Sequence, residues 1–183
     1  MFIKKDLRKI PKIFADASKK EEEELTELRL ARRPAEFDGS ISVLCQPLYI
    51  PSLRNLTSLS LYDCQISNLE GVEFFAQSCP KLEEMNLGRN PLSHLPPNFG
   101  LIKSLKAVWL DDCEIEGPIP ECLFQLDKLQ VLRISNNRIT ELNGNGEVAT
   151  WKDLEVLCLD GNLIEHVPEE VMALTKLKML LLR

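Results

Sequence analysis

The sequence predicts an α/β repeat protein, a solenoid of short stacked units, and three observations carry that expectation. One pattern, L-x-x-L-x-L-x-x-N/C-x-L, recurs along the chain; its copies start at near-constant intervals; and each copy holds the period-2 alternation of a short strand. Full copies read LTSLSLYDCQI from Leu56, LEEMNLGRNPL from Leu82, LKAVWLDDCEI from Leu105, LQVLRISNNRI from Leu129 and LEVLCLDGNLI from Leu154. A weaker copy, LTELRLARRPA, starts at Leu25, and LKMLLLR from Leu177 matches the first seven positions of one more. Successive starts lie 31, 26, 23, 24, 25 and 23 residues apart. Within each x-L-x-L-x core the two apolar residues face inward and their neighbours outward. No single copy can bury its own apolar face, so each must stack on the next.

Ahead of the array, Ile3, Leu7, Ile10, Phe14 and Ala17 fall on one face of a helix, with Pro11 as a point of interruption. Residues 1 to 24 are therefore expected to form a helical cap over the first unit. The competing reading is a basic amphipathic membrane-surface segment, since residues 1 to 20 carry seven Lys/Arg against two Asp. The cap is preferred because the Leu25 strand needs covering. Units starting at residues 25, 56, 82, 105, 129 and 154 then fill residues 25 to 176, and residues 177 to 183 begin a seventh.

The repeats resemble those of the leucine-rich-repeat family, and the resemblance covers residues 25 to 183. It implies a right-handed arc with a parallel sheet on its concave side and short helices or turns on the convex side. It also implies that the buried residue after each strand bonds backbone groups of the turn, forming a ladder through Cys64, Asn90, Cys113, Asn137 and Asn162. Asn can donate and accept there, whereas a thiol is a weaker substitute. The return segments suggest mixed repeat types. HLPPNFGLIKSL and HVPEEVMALTKL resemble the common short type, IEGPIPECLFQL the plant-specific type, and GVEFFAQSCPKL a longer cysteine-containing type.

Composition narrows the function. The chain has 183 residues, 44% hydrophobic and 27% charged, which is ordinary for a domain with a core. A formal charge of −6, with no Lys/Arg stripe beyond the first twenty residues, argues against nucleic acid as a partner. No stretch reaches the ~18 apolar residues of a membrane span, and no signal-peptide run opens the chain. Cys45, Cys64, Cys79, Cys113, Cys122 and Cys158 are scattered singly, which suits reduced thiols and predicts an intracellular, cytoplasmic protein.

Catalytic constellations are absent from the sequence. His94 and His166 occupy one repeat position three units apart, about 14 Å at strand spacing, so they cannot share a metal. The glycines of ELNGNGEV, residues 141 to 148, have no phosphate-loop lysine and read as a loop. Cys158 is expected as an exposed thiol at an outward strand position, without a histidine beside it. Asp111, Asp112 and Asp160 are better read as a solvated acidic face than as a cation site. The expectation is no cofactor, no metal and no enzymatic activity.

Recognition remains. The outward strand position reads Arg29, Ser60, Asn86, Trp109, Arg133, Cys158 and Leu181, and an exposed Trp109 flanked by Arg133 and Tyr62 has hot-spot composition. Tyr62, Arg89, Trp109, Asp111, Asp112, Arg133 and Asp160 are thus the candidate partner-binding residues of a protein-interaction module. Two bland alternatives compete: Arg89 pairing with Asp63 and Asp112 as a surface ladder, and Arg133 stacking on Trp109 within the chain. Two further functional readings are a sensor portion of a larger signalling or catalytic protein, and self-association through an uncapped edge at Met179, Leu180, Leu181 and Leu182.

Overall fold

A computed structural model describes residues 25–47, 50–142 and 147–183; the expected cap at residues 1 to 24 lies outside the described residues. Seven three-residue strands form one parallel sheet: β1 (Glu27–Arg29), β2 (Ser58–Ser60), β3 (Glu84–Asn86), β4 (Ala107–Trp109), β6 (Val131–Arg133), β8 (Val156–Cys158) and β9 (Met179–Leu181). They lie in that order, so each strand pairs with the one from the preceding unit and the one from the next. Two more strands, β5 (Glu116–Pro118) and β7 (Arg138–Glu141), make a separate parallel pair.

Strand pairing in the seven-stranded sheet keeps one register. Leu28, Leu59, Met85, Val108, Leu132, Leu157 and Leu180 stand opposite one another across the sheet. All but Leu180 are buried, as are the second inward residues Leu30, Leu61, Leu87, Leu110, Ile134 and Leu159. The period-2 pattern thus becomes two continuous apolar columns. Each fully buried Leu is worth about 1.5–3 kcal/mol of transfer free energy.

The return segments close the back of the core. Short helices α1 (Pro34–Phe37), α2 (Ile50–Leu53) and α3 (Glu73–Ser78) serve the first units, and 3-10 turns at Pro97–Leu101, Glu121–Gln125, Glu147–Thr150 and Glu169–Ala173 serve the later ones. Buried Phe75, Phe99, Leu123, Val148 and Val171 stack along this side. Trp151 takes the place that Ile102, Leu126 and Leu174 fill elsewhere; it is fully buried, 4.8 Å from the Phe124 ring, and its Nε1 donates to the Leu123 carbonyl at 2.8 Å.

Between strand and return, the chain turns through a left-handed residue in unit after unit. Arg32, Asp63, Arg89, Asp112 and Asn136 have φ between 56° and 60°, and Gly161 has φ 67°. The side chain that follows each of the last five, buried in all but the half-buried Asn162, holds the turn. Asn90 Oδ1 accepts from the amides of Cys64 and Ile66 at 3.0 Å, and its Nδ2 donates to the carbonyls of Leu61 and Leu87 at 2.8 and 2.7 Å. Asn137 does the same between Ile115 N and the carbonyls of Leu110 and Ile134, and Asn162 between Ile139 N and the carbonyls of Ile134 and Leu159. The thiols of Cys64 and Cys113 donate to Leu30 O at 3.0 Å and Leu87 O at 3.5 Å. With Cys113 in place of an Asn, Leu92 N bonds Asn90 O of its own turn at 2.7 Å.

Candidate functional site

The outward side chains of the seven-stranded sheet make the candidate site, and strand register sets its rows. Arg29, Ser60, Asn86, Trp109, Arg133, Cys158 and Leu181 lie side by side in the order read from the sequence. Trp109 is half-buried, not open, because it stands between Asn86 and Arg133 on the neighbouring strands. Cys158 corrects the expected exposed thiol: it is 1% exposed. The larger side chains of Arg133 and Leu181 flank the small thiol on both sides, and burial raises its pKa against the opposing pull of Arg133.

Arg133 does not stack on Trp109. Its Nε donates to Asp111 Oδ2 at 2.8 Å, and that hydrogen bond raises the guanidinium pKa further above its ordinary value. Asp111 Oδ1 accepts from the Ser135 amide at 2.9 Å, so the carboxylate is held at both oxygens. Arg89 divides its contacts: Nε reaches Asp112 Oδ2 at 3.4 Å while the guanidinium carbon lies 5.6 Å from the Tyr62 ring centroid. Asp63 pairs instead with Arg32 at 3.7 Å. Asn136 Nδ2 donates to Asp112 Oδ1 at 2.8 Å, extending a polar chain along this edge.

Asp160 stands apart from these pairs. Its backbone carbonyl accepts from the Asn136 amide at 2.7 Å, but its side chain makes no hydrogen bond or ion pair among the described residues, and its Oδ1 is shut off from solvent. Asp111, Asp112 and Asp160 are not gathered around a common point; the first two are taken up by Arg133, Arg89, Asn136 and Ser135. Among the described residues no group of three or more His, Cys, Asp and Glu is placed to hold a metal ion. His94 and His166 are both exposed and line separate surfaces, His94 accepting or donating with Ser93 Oγ at 3.0 Å and His166 bordering an open groove of about 930 Å³ beside Thr140 and Leu163.

A second outward row, not singled out by the sequence pattern, lies two positions before the Trp109 row. There, β1 to β3 present Glu27, Ser58 and Glu84, whereas β4, β6, β8 and β9 present Ala107, Val131, Val156 and Met179. The signal was available as a polar-to-apolar change along the chain at a fixed repeat position. On β9, Met179 is 47% and Leu180 37% exposed, while Leu181 and Leu182 are half-buried. Among the described residues no helix is long and apolar enough to cross a membrane.

Known proteins share this architecture. The family profile described as Leucine Rich Repeat matches residues 81–101 and 128–146. Disease resistance protein RPS4B of Arabidopsis thaliana is 30% identical over 120 residues, covering 66% of this chain and 10% of that protein. Among solved structures, internalin C2 of Listeria monocytogenes superposes with a TM-score of 0.69 at 22% identity, covering 86% of this chain and 61% of that one. The leucine-rich-repeat ectodomain of the plant membrane receptor kinase GASSHO1/SCHENGEN3 from Arabidopsis thaliana, solved in complex with CASPARIAN STRIP INTEGRITY FACTOR 2, superposes with a TM-score of 0.66 at 25% identity, covering 87% of this chain and 18% of that one. The chain spans 7 to 11% of the length of the first curated relatives it matches.

Proposed function

Because the chain is a leucine-rich-repeat protein, we propose that it is a non-enzymatic interaction module that binds a protein partner on the concave face of its seven-stranded sheet. The observation that carries this reading is Trp109, a large aromatic left half-exposed at the middle of the sheet with a clamped Arg133–Asp111 pair on one side and Tyr62–Arg89 on the other. Trp, Tyr and Arg held in place beforehand are the residues that dominate interface energetics, because little freedom is lost when they bind. The solved ectodomain complex is a binding precedent on a similar scaffold.

The test is a partner binding assay on three single variants. Trp109→Ala is expected to cost about 2 kcal/mol or more, and Arg133→Ala and Tyr62→Ala about 1 kcal/mol each. Unchanged affinity in all three would sink the proposal.

A second reading is that these units are the sensor portion of a larger signalling or catalytic protein, supported by the small share of its relatives' length that the chain spans. Self-association through the apolar surface of Met179 and Leu180 is a third, tested by light scattering across concentrations. We also infer an array of mixed repeat types, supported by the β5–β7 pair, which forms where residues 115 to 120 read IEGPIP. An intracellular location is supported by six free cysteines, five of them buried.

A further inference from the structure

We propose that the apolar stripe of the concave face, centred on Val131 and Val156 beside Trp109, docks a protein segment presenting an aliphatic or aromatic side chain next to a basic one. The inference rests on the concave face being the binding surface and names where on it, and to what chemistry, the partner binds. The stripe is built by register: Ala107, Val131, Val156 and Met179 stand in line on four successive strands, about 14 Å end to end at the ~4.8 Å strand spacing. Val131 and Val156 are half-buried, so each leaves part of its side chain open on the outward face of the sheet. In the first three strands the same line is Glu27, Ser58 and Glu84, so the apolar surface is confined to one half of the arc.

Charge selects the occupant. Along the flank beyond Trp109, Asp111 is neutralised by Arg133 and Asp112 by Arg89. One unit past Arg133, the Asp160 side chain forms no ion pair among the described residues, since the nearby Arg133 is bonded to Asp111. On the opposite flank Lys106 pairs with Glu83 at 2.7 Å and Lys178 with Glu155 at 2.8 Å, which cancels both signs there. Among the described residues Arg133 thus faces two carboxylates, Asp111 and Asp160, so the surplus charge beside the stripe is negative, in keeping with the chain's formal −6. A partner that covers the valines and brings a lysine or arginine to Asp160 gains burial and gives that carboxylate an ion pair of its own. An acidic segment over the same valines gains the first and is repelled.

The experiment selects binders from a phage-displayed random dodecapeptide library against the full chain, then measures synthetic versions of the enriched peptides by fluorescence anisotropy. The expected peptides place Leu, Ile, Phe or Trp within a few residues of Lys or Arg. Val131→Thr with Val156→Thr, which keeps side-chain shape and strand preference, is expected to weaken them about tenfold. Asp160→Asn should weaken them about fivefold at low salt and little at high salt. Replacing the peptide's basic residue with Glu should cost more than either. Melting curves that match the parent chain show that each variant is folded.

No enrichment, or peptides that are acidic or lack an apolar residue, overturns the assignment. Peptides weakened by Trp109→Ala and Arg133→Ala but not by the double threonine variant overturn it while leaving the concave-face reading intact. Peptides indifferent to all these variants remove both. A concentration-dependent dimer that the double threonine variant abolishes makes a second copy of this chain the occupant and likewise overturns it.

Discussion

At the scale of single residues, the buried thiols make a testable link between burial and pH. Burial pushes Cys45, Cys79 and Cys122 up to about 12 and Cys113 up to about 11, from an ordinary value near 9. The folded chain thus keeps neutral thiols where the unfolded chain ionises. Their contribution is complete below about pH 9 and is lost progressively as the pH rises toward 12. Denaturant midpoints should stay level from about pH 6 to 8 and fall above about pH 9, and the fall should be shallower in Cys79→Ala, whose single titrating thiol is gone. An equal slope in that variant would mean that other groups carry the alkaline loss. Residue identities also show where sequence reading succeeded and where it stopped. Asn90 and Asn137 sit at fixed repeat positions, so their burial follows from spacing. Cys158 shares its repeat position with exposed or half-buried residues, and the bulk of Arg133 and Leu181 on adjacent strands decides its burial. Trp151 was passed over for a similar reason: it replaces a leucine-type position in a return segment, and return segments vary in length and composition.

At the scale of elements, the strands were legible and the backs of the units were not. A strand of three residues with one inward leucine leaves a period-2 mark, whereas a 3-10 turn of five residues leaves little pattern. What shapes the turns is contact between neighbours, as Gly100 shows. A Cβ there would lie 2.7 Å from the Cys122 carbonyl oxygen and 2.6 Å from Gln125 Oε1, inside the next turn, Glu121–Gln125. The glutamine can swing away, but the backbone carbonyl cannot. Gly100→Ala is therefore expected to destabilise the chain by about 1–3 kcal/mol despite adding only a methyl group. Thermal or urea unfolding checks this, and a neutral result would show that the two turns slide apart freely. The β5–β7 pair has the same logic in reverse, since a second strand forms only where the Glu116–Pro118 and Arg138–Glu141 segments run alongside each other.

At the scale of the molecule, every strand of the main sheet contacts only its immediate neighbours, so stability is a chain of nearest-neighbour terms. Leu132, fully buried at the centre of β6, faces Val108 on β4 and Leu157 on β8. Leu132→Ala should cost about 2–5 kcal/mol, and hydrogen exchange should quicken in β4 and β8 as well as in β6. Quickening limited to β6 would contradict the coupling. The same linear build explains why the concave rows could be read from sequence alone: register never slips, so a fixed offset in the sequence is a fixed line on the surface. What could not be read is which partners the charged residues choose. Arg133 turned to Asp111 instead of Trp109, and Arg89 took Asp112 and left Asp63 to Arg32, because side-chain reach and backbone amides decide those pairings.

The row of left-handed turn residues bears on how such a protein can change over generations. Arg32, Asp63, Arg89, Asp112 and Asn136 each hold a conformation that costs a non-glycine residue about 1 kcal/mol or more, and the backbone path is the same whichever of them is present. The strain is smaller for Asp and Asn, whose short polar side chains suit the left-handed region, than for Arg, yet all three hold it here. Exchanging one for another alters the electrostatic face of the arc while leaving the coil's geometry where it was, so this edge is free to drift in charge and acquire new specificity without renegotiating the fold.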